Sequence, residues 1–173
     1  MYLIQEYLKN DILDAVMPVI TRMGSAGIIW ILWAFVLICI RKYRTCGIKM
    51  LAGMLTGLII GNLILKNLVA RDRPCWIDTD VLMLIAVPED YSFPSGHTLA
   101  SVISSVILMQ ENKKSGIPAV ILAVLIAFSR MYLFVHFPTD ILGGLVLGLI
   151  IGFSVNPVWN KISESLQKRK ASS

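Results

Sequence analysis

Tyr91-Ser92-Phe93-Pro94-Ser95-Gly96-His97 decides the reading of this chain, because it interrupts a membrane-like sequence just before the apolar run Thr98–Met109. Pro94 and Gly96 are turn residues, and Ser95 is a helix-capping residue. That order predicts a tight turn opening directly into a helix. The first backbone N–H groups of such a helix have no partner, and the positive end of its dipole lies beside them. Together they attract anions. One of only two histidines, His97, stands at this spot. The other, His136, lies in a second break and is followed by Phe137-Pro138-Thr139-Asp140. An anion nest, two histidines, an aspartate and basic residues at helix ends point to phosphate chemistry.

The rest of the composition fixes the setting. Hydrophobic residues make up 56% and charged residues 16%, with a mean hydropathy of +0.72. Soluble domains rarely combine these values, so the class is integral membrane. The 173 residues suit one domain. It divides into an interfacial helix (1–23), a transmembrane catalytic core (24–156) and a basic cytoplasmic tail (157–173). Cys39, Cys46 and Cys75 are widely spaced, with no CxxC pair. They suggest neither a metal site nor a disulfide framework. The segment Met1–Arg22 lacks the basic start and apolar block of a cleavable signal. No nucleic-acid partner is expected.

The fold expected is an all-α, polytopic membrane bundle of about five transmembrane helices plus an N-terminal amphipathic helix. Tyr2–Met23 places polar and apolar residues on different helical faces, as an interfacial helix does, with Pro18 expected to bend or end it. Spans are expected at about Ala26–Ile40, Ile48–Leu65, Thr98–Met109, Ile117–Val135 and Thr139–Val155. The second carries Gly53, Gly57 and Gly61, a spacing that lets helices approach closely in lipid. The connection Lys66–Phe93 is long, and its apolar middle, Val81–Val87, is expected at the bilayer surface. Glu111–Gly116 is expected to form a tight turn.

Charge sets the orientation. Ten of the sixteen Lys and Arg residues fall in Arg41–Lys49, Glu111–Lys114 and the tail after Pro157. The positive-inside rule puts that side in the cytoplasm, so both histidine breaks face the extracytoplasmic side.

Arg130 lies in an otherwise apolar run where a charge costs about 2.5–3.5 kcal/mol, so it requires a partner inside the bundle. Phosphate is one candidate and an ion pair with Asp140 is another. Lys66 closes the second span, where snorkelling is the ordinary explanation. His97 alone could equally be a capping or core residue. His136 is more specific. Pro138 suits the first turn of a helix, which places Asp140 where it can orient one imidazole nitrogen and leave the other free as a nucleophile. A metal is the rival use of His and Asp, but the chain offers no third histidine and surrounds the site with cations.

These residues also form a pattern: Lys66-x6-Arg73-Pro74, then Pro94-Ser95-Gly96-His97, then Ser129-Arg130-x5-His136-x3-Asp140. The pattern resembles the three-part signature of the type-2 phosphatidic acid phosphatase family, whose soluble relatives include the vanadium haloperoxidases. Every signature position is filled. The resemblance implies a metal- and cofactor-independent lipid phosphatase acting on a membrane lipid phosphate. By it, His136 attacks phosphorus to form a phosphohistidine, Asp140 orients it, and His97 protonates the leaving oxygen. Lys66, Arg73, Ser95, the Gly96 N–H and Arg130 would hold the phosphoryl oxygens. The layout is similar to bacterial members that act on undecaprenyl diphosphate; members acting on phosphatidic acid or phosphatidylglycerol phosphate share the signature. A vanadate-dependent peroxidase and a non-enzymatic lipid transporter or scaffold are the other classes considered. The expected location is a bacterial cytoplasmic membrane.

Overall fold

A computed structural model describes the backbone of residues 1–171 and the side chains of residues 1–168. The tail charges expected at Arg169 and Lys170 therefore lie outside the described side chains. The helices are α1 (Tyr2–Tyr7), α2 (Asp11–Gly24), α3 (Ile28–Cys39), α4 (Arg44–Gly57), α5 (Lys66–Val69), α6 (Pro74–Ile77), α7 (Gly96–Glu111), α8 (Lys113–Tyr132) and α9 (Pro138–Ala171). A 3-10 turn, Ser25–Gly27, links α2 to α3, and a π-helical segment, Leu58–Leu65, links α4 to α5. No strand occurs among the described residues.

Four stretches among the described residues are long and apolar enough to cross a membrane: Asp11–Cys39, Arg44–Ile77, Lys113–Tyr132 and Pro138–Lys168. The first is broken where Ala26 and Gly27 take left-handed backbone angles. Helix α7, which answers to the third expected span, has 16 residues and is not among these four. The reason is its place. It packs against α4, α8 and α9, so its surface meets protein and can carry serines. Ser101 accepts a hydrogen bond from Trp30 Nε1 at 3.0 Å, and Ser105 donates to the Ser101 carbonyl at 2.7 Å.

Close approach rather than water exclusion holds such a bundle together, since lipid is as apolar as the core. The α4 glycine stripe serves this end: a Cβ on Gly61 would sit 2.3 Å from Leu99 Cδ2. A second stripe, Gly144, Gly148 and Gly152, does the same for α9. A Cβ on Gly148 would lie 2.8 Å from Val102 Cβ. Between them, Leu99, Ile103, Ile107 and Leu108 of α7 form the centre of the main core with Trp30, Met50 and Ile126.

Several expected boundaries move. The N-terminal helix is two helices, parted where Asn10 caps α2 by accepting from Leu13 N at 3.0 Å. Pro18 does not end α2, because it removes one N–H while Met17, Thr21 and Gly24 stay packed. The turn Glu111–Gly116 shrinks to Asn112, whose side chain caps α8 through Lys114 N at 2.9 Å. Helix α8 stops at Tyr132, short of Val135, and Phe134 follows in a left-handed conformation. Helix α9 runs on through Pro157 to Ala171. The Val81–Val87 segment forms no helix, and its Val81, Met83, Leu84 and Ile85 pack against a buried cluster that includes Met17, Cys75 and Leu133–Val135.

Alternation of direction places the site. The π segment and α5, like α8, end at the same side of the bundle at which α7 and α9 begin. Helix α2 delivers Thr21 to that side and Asp14 to Tyr132 at the end of α8, with a hydroxyl–carboxylate distance of 2.6 Å.

Candidate active site

The two histidine breaks meet as the sequence pattern requires. Ser95 begins α7, accepting from Thr98 N at 3.4 Å, and its own N–H donates to the Asp140 carbonyl at 3.1 Å. That second bond ties the start of α7 to the start of α9. Lys66, Arg73, Ser95, Arg130, His136 and Asp140 are all buried, although a bilayer or core normally excludes unpaired charge. Asn62, Lys66, Arg73, Gly96, His97, Arg130 and His136 line one cavity of about 870 Å³.

His136 is held from both ring nitrogens. Arg73 Nη1 lies 3.2 Å from Nε2. A guanidinium only donates, so Nε2 is the nitrogen with the free pair and Nδ1 carries the proton. On the Nδ1 side, Ser92 Oγ is 3.3 Å away and Asp140 Oδ2 3.5 Å. Ser92 in turn donates to Asp140 Oδ2 at 2.5 Å. Burial lowers the pKa of His136 to about 3, against the raising pull of Asp140 and with the help of the Arg73 and Arg130 charges. Burial thus favours the neutral imidazole, with the lone pair on Nε2.

Asp140 is completely buried and fully engaged. Phe137 N donates to Oδ2 at 2.8 Å, and Arg71 Nη1 donates to Oδ1 at 2.8 Å and to Thr139 Oγ1 at 2.6 Å. The ion pair with Arg130 considered above does not form. Arg130 donates to Thr21 Oγ1 at 2.6 Å, while its Nε has no partner. His97 Nε2 is likewise buried without a partner. Asn62 Oδ1 is a third such atom. Buried polar atoms are nearly always satisfied, so three orphans in one cavity mark where a polar ligand group belongs.

Arg73 donates through Nε to the Asp90 carbonyl at 2.6 Å and through Nη1 to the Val135 carbonyl at 2.7 Å. Nη2 reaches Asp90 Oδ1 at 2.7 Å and the Tyr91 carbonyl at 3.3 Å. Lys66 Nζ meets the other Asp90 oxygen at 2.5 Å. Burial raises the Asp90 pKa, but the Lys66 and Arg73 contacts outweigh it and hold the carboxyl at about 2. Among the described residues, no group of three His, Cys, Asp or Glu side chains is arranged to hold a metal.

Five of these neighbours escape the sequence signature. Arg71 and Ser92 lie inside stretches already singled out, Arg71-Asp72-Arg73-Pro74 and Tyr91–His97, so proximity was their available signal. Asp90, Thr21 and Asn62 carry none, since only folding brings them to the site. Asn62 sits in the π segment against Gly96, where an added Cβ would lie 2.9 Å from its Oδ1.

The cavity also has an apolar arm, lined by Ile31, Leu51, Met54, Leu58, Leu99 and Ile103. A cationic, histidine-bearing head that opens into such a lane, within membrane-length helices, suits a phosphate carried on a lipid. The protein is a membrane-integrated lipid phosphatase, a class the relatives described next share.

It belongs to the PAP2 superfamily, whose family model matches residues 47–164. The undecaprenyl-diphosphatase BcrC of Bacillus subtilis is 36% identical over 83% of this chain and 74% of its own. Phosphatidylglycerophosphatase B of the same organism is 34% identical over 93% and 82%. The crystal structure of a transmembrane PAP2-type phosphatidylglycerolphosphate phosphatase from Bacillus subtilis superposes with a TM-score of 0.71. It shares 32% identity and covers 89% of this chain and 80% of its own.

Proposed function

We propose that this enzyme removes the terminal phosphate of undecaprenyl diphosphate at the extracytoplasmic face of a bacterial cytoplasmic membrane, through a phosphohistidine on His136 and without a metal ion. The observation that carries the reading is the two-part cavity, a cationic head continuous with an apolar lane. Lys66, Arg73, Arg130, Ser95 and the Gly96 N–H neutralise the equatorial phosphoryl oxygens, which is most of what phosphoryl transfer needs. The His136 Nε2 pair forms the N–P bond as the P–O bond to the lipid breaks. His97 gives its proton to the departing oxygen. Water then attacks phosphorus and gives a proton back to His97, the N–P bond breaks to return its electron pair to His136 Nε2, and inorganic phosphate leaves.

The similarity to the undecaprenyl-diphosphatase supports this substrate. The longer match to a phosphatidylglycerophosphatase favours phosphatidylglycerol phosphate as the second reading. Phosphate release by purified protein in EDTA, from undecaprenyl diphosphate, phosphatidylglycerol phosphate and phosphatidic acid, tests both points. The diphosphate is expected to have the highest kcat/KM, with vanadate inhibiting every substrate. Faster release from phosphatidylglycerol phosphate would replace the substrate. Activity lost in EDTA and restored by Mg2+ would overturn the metal-free mechanism.

A further inference from the structure

Asp90 is the one acid among the described residues lining the cavity, beside Arg22, Lys66, Arg73 and Arg130. Its carboxylate bridges Lys66 Nζ at 2.5 Å and Arg73 Nη2 at 2.7 Å. Those are two of the donors given above to the phosphoryl oxygens. Donor counting makes the overlap a conflict. Arg73 has five N–H groups, and all five are taken by Asp90 O, Asp90 Oδ1, Tyr91 O, Val135 O and His136 Nε2. Three of these acceptors are backbone carbonyls that fix the loops around the site. A phosphoryl oxygen can gain the Nη2 hydrogen held at 2.7 Å only if the Asp90 side chain lets go.

The geometry allows that exchange without unfolding. The Asp90 backbone is anchored through its carbonyl to Arg73 Nε, whereas its side chain is 58% exposed. Rotation about χ1 moves the carboxylate towards solvent and leaves the loop in place. The carboxylate end of both pairs meets solvent, which screens the attraction although Lys66 and Arg73 are buried, so a phosphate can displace it. Returning the carboxylate to Lys66 and Arg73 opposes phosphate rebinding by the same amount.

We propose that Asp90 is an internal anion that competes with phosphate for Lys66 and Arg73, weakening the hold on bound phosphate and so speeding release of the product. The inference rests on the phosphate placement given under Proposed function. An interaction that loosens the ground state leaves more of the binding energy for the transition state, which is the advantage of spending two cations on a side chain.

The test is product inhibition by inorganic phosphate, with phosphate affinity measured independently by calorimetry on the purified, monodisperse protein. Asp90→Asn keeps the size and the Arg73 hydrogen bond but removes the charge. It is expected to bind phosphate about tenfold more tightly, the order of two weak ion pairs, with KM and kcat both lowered. Asp90→Ala is expected to move in the same direction, and Asp90→Glu, which keeps the charge, to stay near wild type. If Asp90 instead holds Arg73 in position, both neutral variants bind phosphate more weakly and KM rises, which overturns the inference. Unchanged affinity in both also overturns it. Lys66→Ala separates this from failure of the site itself. Weakened phosphate binding in Lys66→Ala upholds the phosphate placement whatever Asp90→Asn does. Unchanged binding removes that placement and the inference with it.

Discussion

Asp140 Oδ2 and His136 Nδ1 stand 3.5 Å apart, and the Ser92 hydroxyl bridges them at 2.5 Å from the carboxylate and 3.3 Å from the imidazole. The carboxylate one helical turn after His136 therefore reaches the imidazole largely through a serine. The proton order is consistent: Nδ1–H donates to Ser92 Oγ, whose own proton goes to Asp140. Arg71 and the Phe137 N–H hold the remaining Asp140 lone pairs, so the carboxylate cannot turn to reach the ring directly.

Ser92→Ala should accordingly lower kcat with little change in KM, because Ser92 touches no substrate. A hydrogen bond to a charged group is worth about 1.5–3 kcal/mol, roughly ten- to a hundredfold in rate. Ser92→Thr keeps the hydroxyl and should recover most of the loss. Steady-state kinetics on the three proteins decide it. Full activity in Ser92→Ala would mean that Asp140 holds His136 alone.

The bundle and the signature residues were legible because each depends on local pattern. Apolar runs mark helices, and Pro94, Ser95 and Gly96 mark a turn opening into one. What stayed hidden has no local cause. Asp90 is 24 residues from Lys66, and Ser92 is 48 from Asp140; neither loop position has a periodicity that says which way its side chain points. Helix α7 falls outside the membrane-length stretches because it has 16 residues and its Ser101, Ser104 and Ser105 are buried against neighbouring helices. Helix α9 continues past the expected end at Val155 because Pro157 removes only one N–H, a loss that a long helix absorbs.

Sidedness can be tested where the structure permits. Cys75 and Cys46 are both buried, so neither native thiol reports topology. Thr79, in the connection after α6, and Lys114, in the first turn of α8, are exposed at opposite ends of the bundle. With all three native cysteines replaced by serine, Thr79→Cys should react with an impermeant maleimide in intact cells. Lys114→Cys should react only after permeabilisation. The reverse pattern would put the site in the cytoplasm.

The two histidines should fail differently. His136→Ala removes the proposed nucleophile and should abolish turnover of every substrate. His97→Ala should chiefly impair poor leaving groups, since general acid catalysis contributes about 10²–10⁴-fold and least when the departing oxygen is weakly basic. p-Nitrophenyl phosphate should thus lose less activity than phosphatidic acid. Labelled phosphoenzyme, acid-labile and base-stable, should accumulate in His97→Ala and be absent from His136→Ala. The opposite labelling would exchange the two roles.

The apolar lane makes the last expectation, and it separates a lipid site from a general phosphate site. Ala100 lines the cavity on α7, one turn below the Gly96 N-terminus and among Met54, Leu58 and Ile103. Ala100→Phe fills that passage while leaving Lys66, Arg73, His97, Arg130 and His136 untouched. A pocket wall that gains even one methylene alters discrimination about tenfold or more, and a phenyl ring adds several. The variant should therefore lose at least tenfold in kcat/KM towards undecaprenyl diphosphate. It should keep near wild-type activity on p-nitrophenyl phosphate, whose ring is small enough to stay near the cationic head. Equal losses on both substrates would mean that the substitution damaged the catalytic end of α7. Unchanged lipid turnover would mean that the chain of the substrate leaves the head by another route, across the protein surface rather than between the π segment and α7.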